Sequence, residues 1–167
     1  SGNLLLDHML GAQIVWTSRS ERDHTLQKAF NEAWSAGKRP YLIPYGGSSP
    51  TGAAGYAYAV AELMQQCAPQ QEIPMPDWIV FATSSGGTQA GLTVGAKAFQ
   101  YPGKILGISI DEKAEVLKPR VADLATQTAD LLRLPASFSP EDILVKEDYL
   151  GDGYGIMSSV EVEASKL

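Results

Sequence analysis

Ser84-Ser85-Gly86-Gly87-Thr88 follows an apolar run, Trp78 to Thr83, and precedes a segment with helical spacing. Strand, glycine turn, helix is an arrangement that binds phosphate: successive backbone N–H groups point into the turn, hydroxyls add donors, and the helix dipole favours negative charge. On spacing alone two readings stay open, a phosphate cradle or a tight connection with an ordinary helix cap. Gly46-Gly47-Ser48-Ser49-Pro50 has the same local form. There Pro50 removes one donor, and Ser49 is accounted for as the cap of a helix that has Pro50 at its first position, so this turn is read as a cap rather than a site. Tyr154 stands among Gly151, Gly153 and Gly155, which would let a phenol project; a functional tyrosine and a plain turn tyrosine are both open.

Other chemistry finds little support. The sequence contains no Gly-x-x-x-x-Gly-Lys and no Gly-x-Ser-x-Gly, and Gly151-Asp152-Gly153-Tyr154-Gly155 has the wrong spacing for a dinucleotide fingerprint. His8 lies beside an apolar run and His24 opens a helix; both are read as structural or solvated, and two isolated histidines make no metal site. The single cysteine, Cys67, excludes an internal disulfide and any multi-cysteine centre, and without a cue for thiolate activation it is read as inert. Asp111-Glu112-Lys113, after a strand, could line a site at the sheet's carboxyl edge, but the preferred reading is a solvated loop with a helix cap.

The elements that must position these residues alternate. Ala12 to Thr17 is a β-branched run, Asp23 to Ala36 a helix capped at Asp23 and closed by Gly37, and Pro40 to Pro44 a second apolar run. Thr51 to Gln66 is a helix with small residues on its sides. After a linker from Ala68 to Pro76 come a strand (Trp78 to Thr83), a second small-sided helix (Thr88 to Phe99) and a strand (Lys104 to Ile110). A long helix (Ala114 to Leu132), a short strand (Ile143 to Lys146) and a helix near Val160 follow. Apolar runs without polar alternation, each followed by a helix, predict an α/β fold whose parallel sheet is covered on both faces. Ligands of such sheets bind at the carboxyl ends of the strands, where both glycine turns fall.

The chain has 167 residues, 44% of them hydrophobic and 19% charged, with a net charge of −6. That composition fits one globular domain with a core. No apolar run approaches the ~20 residues a spanning helix needs, and none reads as a secretory signal, so a soluble cytoplasmic protein is expected, with no membrane partner. The acidic balance argues against nucleic acid as a partner.

Taken together, Gly2-Asn3-Leu4-Leu5-Leu6-Asp7, Ile43-Pro44-Tyr45-Gly46-Gly47-Ser48, Ala82 to Leu92, Leu106-Gly107-Ile108-Ser109 and Gly153-Tyr154-Gly155 resemble the D-cysteine desulfhydrase and 1-aminocyclopropane-1-carboxylate (ACC) deaminase family. Order and separations agree along essentially the whole chain. The resemblance implies a pyridoxal phosphate enzyme of the tryptophan synthase β type (fold type II), with a three-layer αβα architecture around a parallel sheet. Residues 1–47 would be the end of the small α/β domain, a βαβ unit, and residues 48–167 the central part of the large one. It implies that Ser85, Gly86, Gly87 and Thr88 hold the cofactor phosphate. Tyr154 would lie near cofactor or substrate, where a phenol can stack, donate or relay a proton.

Two departures matter. In the family the lysine that forms the Schiff base sits in a Gly-Asn-Lys segment ahead of the Gly-Asn-Leu-Leu-Leu stretch, and a second tyrosine comes in a later Asp-Pro-Val-Tyr segment; neither occurs here. Lys28, Lys38, Lys97, Lys104, Lys113, Lys118, Lys146 and Lys166 stand in none of the required contexts. The expectation is a truncated relative of a lyase or deaminase acting on a small amino acid, leaning toward D-cysteine, inactive by itself and assembled as a homo-oligomer that covers open sheet edges. The alternative is a non-catalytic phospho-ligand-binding or assembly module.

Overall fold

In the computed structural model, residues 2–67, 73–151 and 156–166 are described. The chain divides into two compact units, Ser1–Ile43 and Pro44–Leu167.

The first unit is built from local interactions. Helix α1 spans Asn3–Met9 and α2 spans Arg22–Ser35. Glu21, not Asp23, occupies the N-cap of α2; Asp23 falls in its first turn, where a carboxylate still favours the helix dipole. Along α2 the Phe30 and Trp34 rings stack with centroids 6.0 Å apart, and the Arg39 guanidinium lies 4.8 Å from the Trp34 ring. None of the described residues in this unit is buried. The runs Ala12 to Thr17 and Pro40 to Pro44, expected as strands of a βαβ unit, form no strand, and Val15, Trp16, Tyr41 and Ile43 are exposed. β-Branched composition yields a strand only where a neighbour takes the backbone hydrogen bonds and a surface takes the side chains; here neither does. Helix α1 is an addition, since Leu4-Leu5-Leu6 carries no periodicity of its own.

The second unit holds the sheet and the core. Helix α3 (Pro50–Gln66) leads to β1 (Trp78–Thr83), α4 (Gly87–Ala98), β2 (Lys104–Ser109), α5 (Ala114–Leu131), β3 (Leu144–Lys146) and α6 (Ser159–Ala164). The strands run parallel in the order β1-β2-β3, with Thr83 opposite Ser109 and Gly107 opposite Val145. Their carboxyl ends therefore share one edge. Ala53, Ala57, Ala90, Val94, Leu117 and Val121 join α3, α4 and α5 in one buried cluster, and Val60, Leu92, Tyr101 and Ile105 make a second, against which Ile79 and Phe81 pack.

The α3–α4 contact depends on missing side chains. A Cβ on Gly91 would overlap the Ala53 carbonyl oxygen, and one on Gly95 would overlap that of Ala57. Two helices at this separation bring the turns that precede them together. On the sheet, Ile79, Phe81, Ile105 and Gly107 face the helices, whereas Trp78, Val80 and Leu144 on the other face are exposed. The expectation that these runs are buried on both faces is thus met on one face only among the described residues. No described helix is long and apolar enough to cross a membrane.

Candidate functional site

Strand β1 ends at Thr83, and the chain turns through Ser84, Ser85 and Gly86 into α4. Gly86 makes the turn possible: at φ 93°, ψ −9° it is left-handed, a conformation that costs any residue with a Cβ. As the N-cap it has no side chain to offer, and α4 carries no cap of its own. The first-turn N–H groups of a helix have no intrahelical partner, so an uncapped start presents donors. Ser85 and Thr88 are half-buried beside it, and Gly86 and Gly87 are buried.

The first glycine turn meets this one. Gly46 and Gly47, both at φ +66°, swing the chain so that Ser48 faces the second turn while Ser49 caps α3, accepting the Gly52 N–H at 3.1 Å. The Ser48 hydroxyl accepts the Gly87 N–H at 3.0 Å and donates to Ser85 Oγ at 2.8 Å. The contact is close: a Cβ on Gly46 would overlap Ser85 Oγ, and one on Gly87 would come within 2.7 Å of Ser48 Oγ. The reading of Ser49 and Pro50 as cap and first helical residue holds, but reading the turn only as a cap overlooked Ser48. The missed signal lay in the two helices: each glycine turn precedes a small-sided helix, and two such helices pack closely on one another.

Around the turn a polar network fixes the strand ends. Ser84 Oγ donates to Asp111 Oδ2 at 2.8 Å, and Arg120 Nη1 donates to the Ser84 carbonyl at 3.4 Å while its Nη2 lies 3.5 Å from Glu112 Oε1. Buried Ser109 donates to the Glu112 carbonyl and accepts the Glu112 N–H at 3.3 Å. The Asp111-Glu112-Lys113 segment is therefore no freely solvated loop: Asp111 and Glu112 are half-buried and tied to the turn, and Lys113 is the N-cap of α5 without a side-chain bond. Fully buried Gln89, in the first turn of α4, donates to the Leu144 carbonyl at 2.8 Å and so ties the helix start to β3. Gly107 provides the space, since a Cβ there would overlap Gln89 Oε1.

The donor set fits a phosphate-bearing group. Around the start of α4 stand two hydroxyls, Ser85 and Thr88, and backbone N–H groups, with a left-handed glycine at the bend; of the nearby Asp111 carboxylate, Oδ2 accepts from Ser84 and Oδ1 is buried without a partner among the described residues. Tyr154, the remaining sequence candidate, lies outside the described residues. His24 is exposed and 3.7 Å from Glu21, and among the described residues no three His, Cys, Asp or Glu side chains cluster as metal ligands would. Tyr101 is away from this edge: its hydroxyl donates to the Pro76 carbonyl at 2.5 Å, and burial, then Asp77, pushes its pKa up.

A mixed helix and parallel-sheet fold with this turn at the strand ends matches a known class. The family described as pyridoxal-phosphate dependent enzyme matches residues 1–167, and the chain belongs to it. D-cysteine desulfhydrase of Salmonella paratyphi C (strain RKS4594) is 36% identical over 168 residues, covering 100% of this chain and 49% of its own length. The D-cysteine desulfhydrase of Salmonella typhi is 34% identical over the same span. A crystal structure of an ACC deaminase homologue, 30% identical, superposes with a TM-score of 0.75 over 95% of this chain and 47% of that one. The chain spans about half the length of the curated relatives it matches.

Proposed function

We propose that this chain carries the cofactor-phosphate site of a pyridoxal phosphate-dependent lyase or deaminase acting on a small amino acid, D-cysteine before ACC, and that these 167 residues do not turn substrate over by themselves. The observation that carries the reading is the start of α4, left uncapped by its own residues behind a left-handed glycine and flanked by Ser85 and Thr88. Ser85 Oγ, Thr88 Oγ1 and the first-turn N–H groups after Gly87 would hold the phosphate, with Gly86 and Gly87 allowing the backbone to approach. Bound there, the cofactor supplies an electron-accepting ring for chemistry at the α-carbon of an amino acid. Tyr154, by the family resemblance, would hold or move a proton near the substrate. Residues 1–47 would belong to a small domain and 48–167 to a large one. A cytoplasmic homo-oligomer completes the reading, the exposed Trp78, Val80 and Leu144 being apolar area of the kind that association covers.

The test is to titrate the chain with pyridoxal phosphate, compete with inorganic phosphate, assay sulfide release from D-cysteine, and measure mass by light scattering at micromolar concentration. Phosphate-competed binding without sulfide release by an oligomer is expected. Absence of binding overturns the cofactor reading, sulfide release overturns the inactivity, and a monomer overturns the assembly. Equal affinity for unrelated phosphorylated ligands favours a phospho-ligand module instead.

A further inference from the structure

We infer that Ser48 is a positioning residue that commits the Ser85 hydroxyl to donate into the turn, an inference that rests on the phosphate reading above. The Gly87 N–H can only donate, and it donates to Ser48 Oγ at 3.0 Å. Ser48 keeps its own hydrogen to donate, and Ser85 Oγ, 2.8 Å away, accepts it. Ser85 Oγ has accepted once, so its remaining hydrogen is free for an acceptor in the turn. An ionised phosphate, which only accepts from such groups, fits that donor, and a relay of three hydrogen bonds polarises its members in the same sense.

Geometry restricts the relay further. Gly46 passes so close that any Cβ would overlap Ser85 Oγ and come within 3.5 Å of Ser48 Oγ, so only a glycine leaves room for the paired hydroxyls. Ser48 also stands in for the cap that Gly86 cannot provide, reaching α4 from 39 residues upstream. It does so at the first N–H of the helix, leaving the later first-turn N–H groups to a ligand. Ser48 thus bears on the phosphate through Ser85 and need not touch it, its other bond being spent on the first N–H of the helix.

The experiment follows backbone amide shifts of the full 167-residue chain by NMR during titration with inorganic phosphate. Wild-type shifts are expected at residues 85–88. Ser48→Ala is expected to weaken phosphate about tenfold, the loss of one charge-assisted donor's alignment, and to speed hydrogen exchange at the Gly87 amide; Ser48→Thr, which keeps the hydroxyl, restores both. Because Ser48 acts through Ser85, Ser48→Ala in a Ser85→Ala background weakens binding by less than about twofold further. Should Ser48→Ala lower the unfolding midpoint, Ser48→Cys, closer in volume and a weak donor, is read for the same loss. Phosphate binding at residues 85–88 that Ser48→Ala leaves unchanged, or losses that add fully in the double variant, overturn the inference while the cradle stands. Absence of any wild-type shift at these residues overturns the cradle and the inference together.

Discussion

The two glycine turns of the second unit look alike as text and differ as structures. Each joins glycines to serines before a small-sided helix, yet α3 begins on a serine that caps it and α4 begins on a glycine that cannot. Self-capping consumes an N–H and closes the helix start; a bare glycine leaves it presenting donors. The first turn nevertheless serves the second, because Ser48, one residue before the cap, reaches across to Ser85 and Gly87. One turn supplies support and the other supplies the opening, and a motif's chemistry depends on which neighbour the fold places against it.

The largest way to break that pairing is to separate the helices behind it. Gly91→Ala sets two effects in opposition: in a helix interior alanine is favoured over glycine by about 1 kcal/mol. The added Cβ, however, overlaps the Ala53 carbonyl oxygen and lies 2.6 Å from Tyr56 Cβ. Backbone cannot yield as a side-chain tip can, so a net loss of about 3 kcal/mol is expected, at the upper end for overpacking, read as a lower urea midpoint. Gly55→Ala on α3, with nothing within 4 Å, should instead gain a few tenths to about 1 kcal/mol. Equal effects at the two positions would show that the seam does not hold α4 against α3.

How much of this was legible divides along the same line between local and distant causes. Helices α2 to α5 and strands β1 to β3 follow from periodicity and from punctuation by Gly37, Ser49 and Pro50, all within one turn of the element they define. The runs around Val15 and Tyr41 read equally well as strands and are not, because pairing depends on a partner that no local pattern names. The donor turn at Ser85 to Thr88 was legible because strand, glycine and helix are contiguous. Ser48 was not, since its partners lie 37 and 39 residues on and its own neighbours already explained it as part of a cap. Asp111 was misread for the same reason: what ties it down is Ser84, across the edge between two strands.

A middle-sized effect tests the contact between the turns directly. Gly46 and Gly47 share φ +66°, so alanine at either is expected to cost about 1–2 kcal/mol for the left-handed backbone. Only at Gly46 does the new Cβ overlap Ser85; at Gly47 it meets nothing within 4 Å. Gly46→Ala should therefore cost about 1 kcal/mol more than Gly47→Ala in chemical denaturation and, by displacing Ser85, weaken inorganic phosphate by about tenfold. Matching losses of stability and of phosphate at the two glycines would mean that the backbone, and not the approach to Ser85, sets their role.

The smallest effect sharpens the comparison by isolating the cap from the relay next to it. Among the described residues, Ser49 Oγ accepts only the Gly52 N–H, within its own helix start. Ser49→Ala should cost about 1 kcal/mol, the usual value of an N-cap, with phosphate affinity changed by less than about twofold, since α4 and Ser85 keep their partners. Ser48→Ala, one residue earlier, removes a hydroxyl of the same kind but bonded to the other helix, and is expected to show the converse, a binding loss larger than its stability loss. If Ser49→Ala weakened phosphate as strongly as Ser48→Ala, the two turns would be acting as one rigid block, and the division between a turn that closes its own helix and a turn left open for an anion would not describe how the site works.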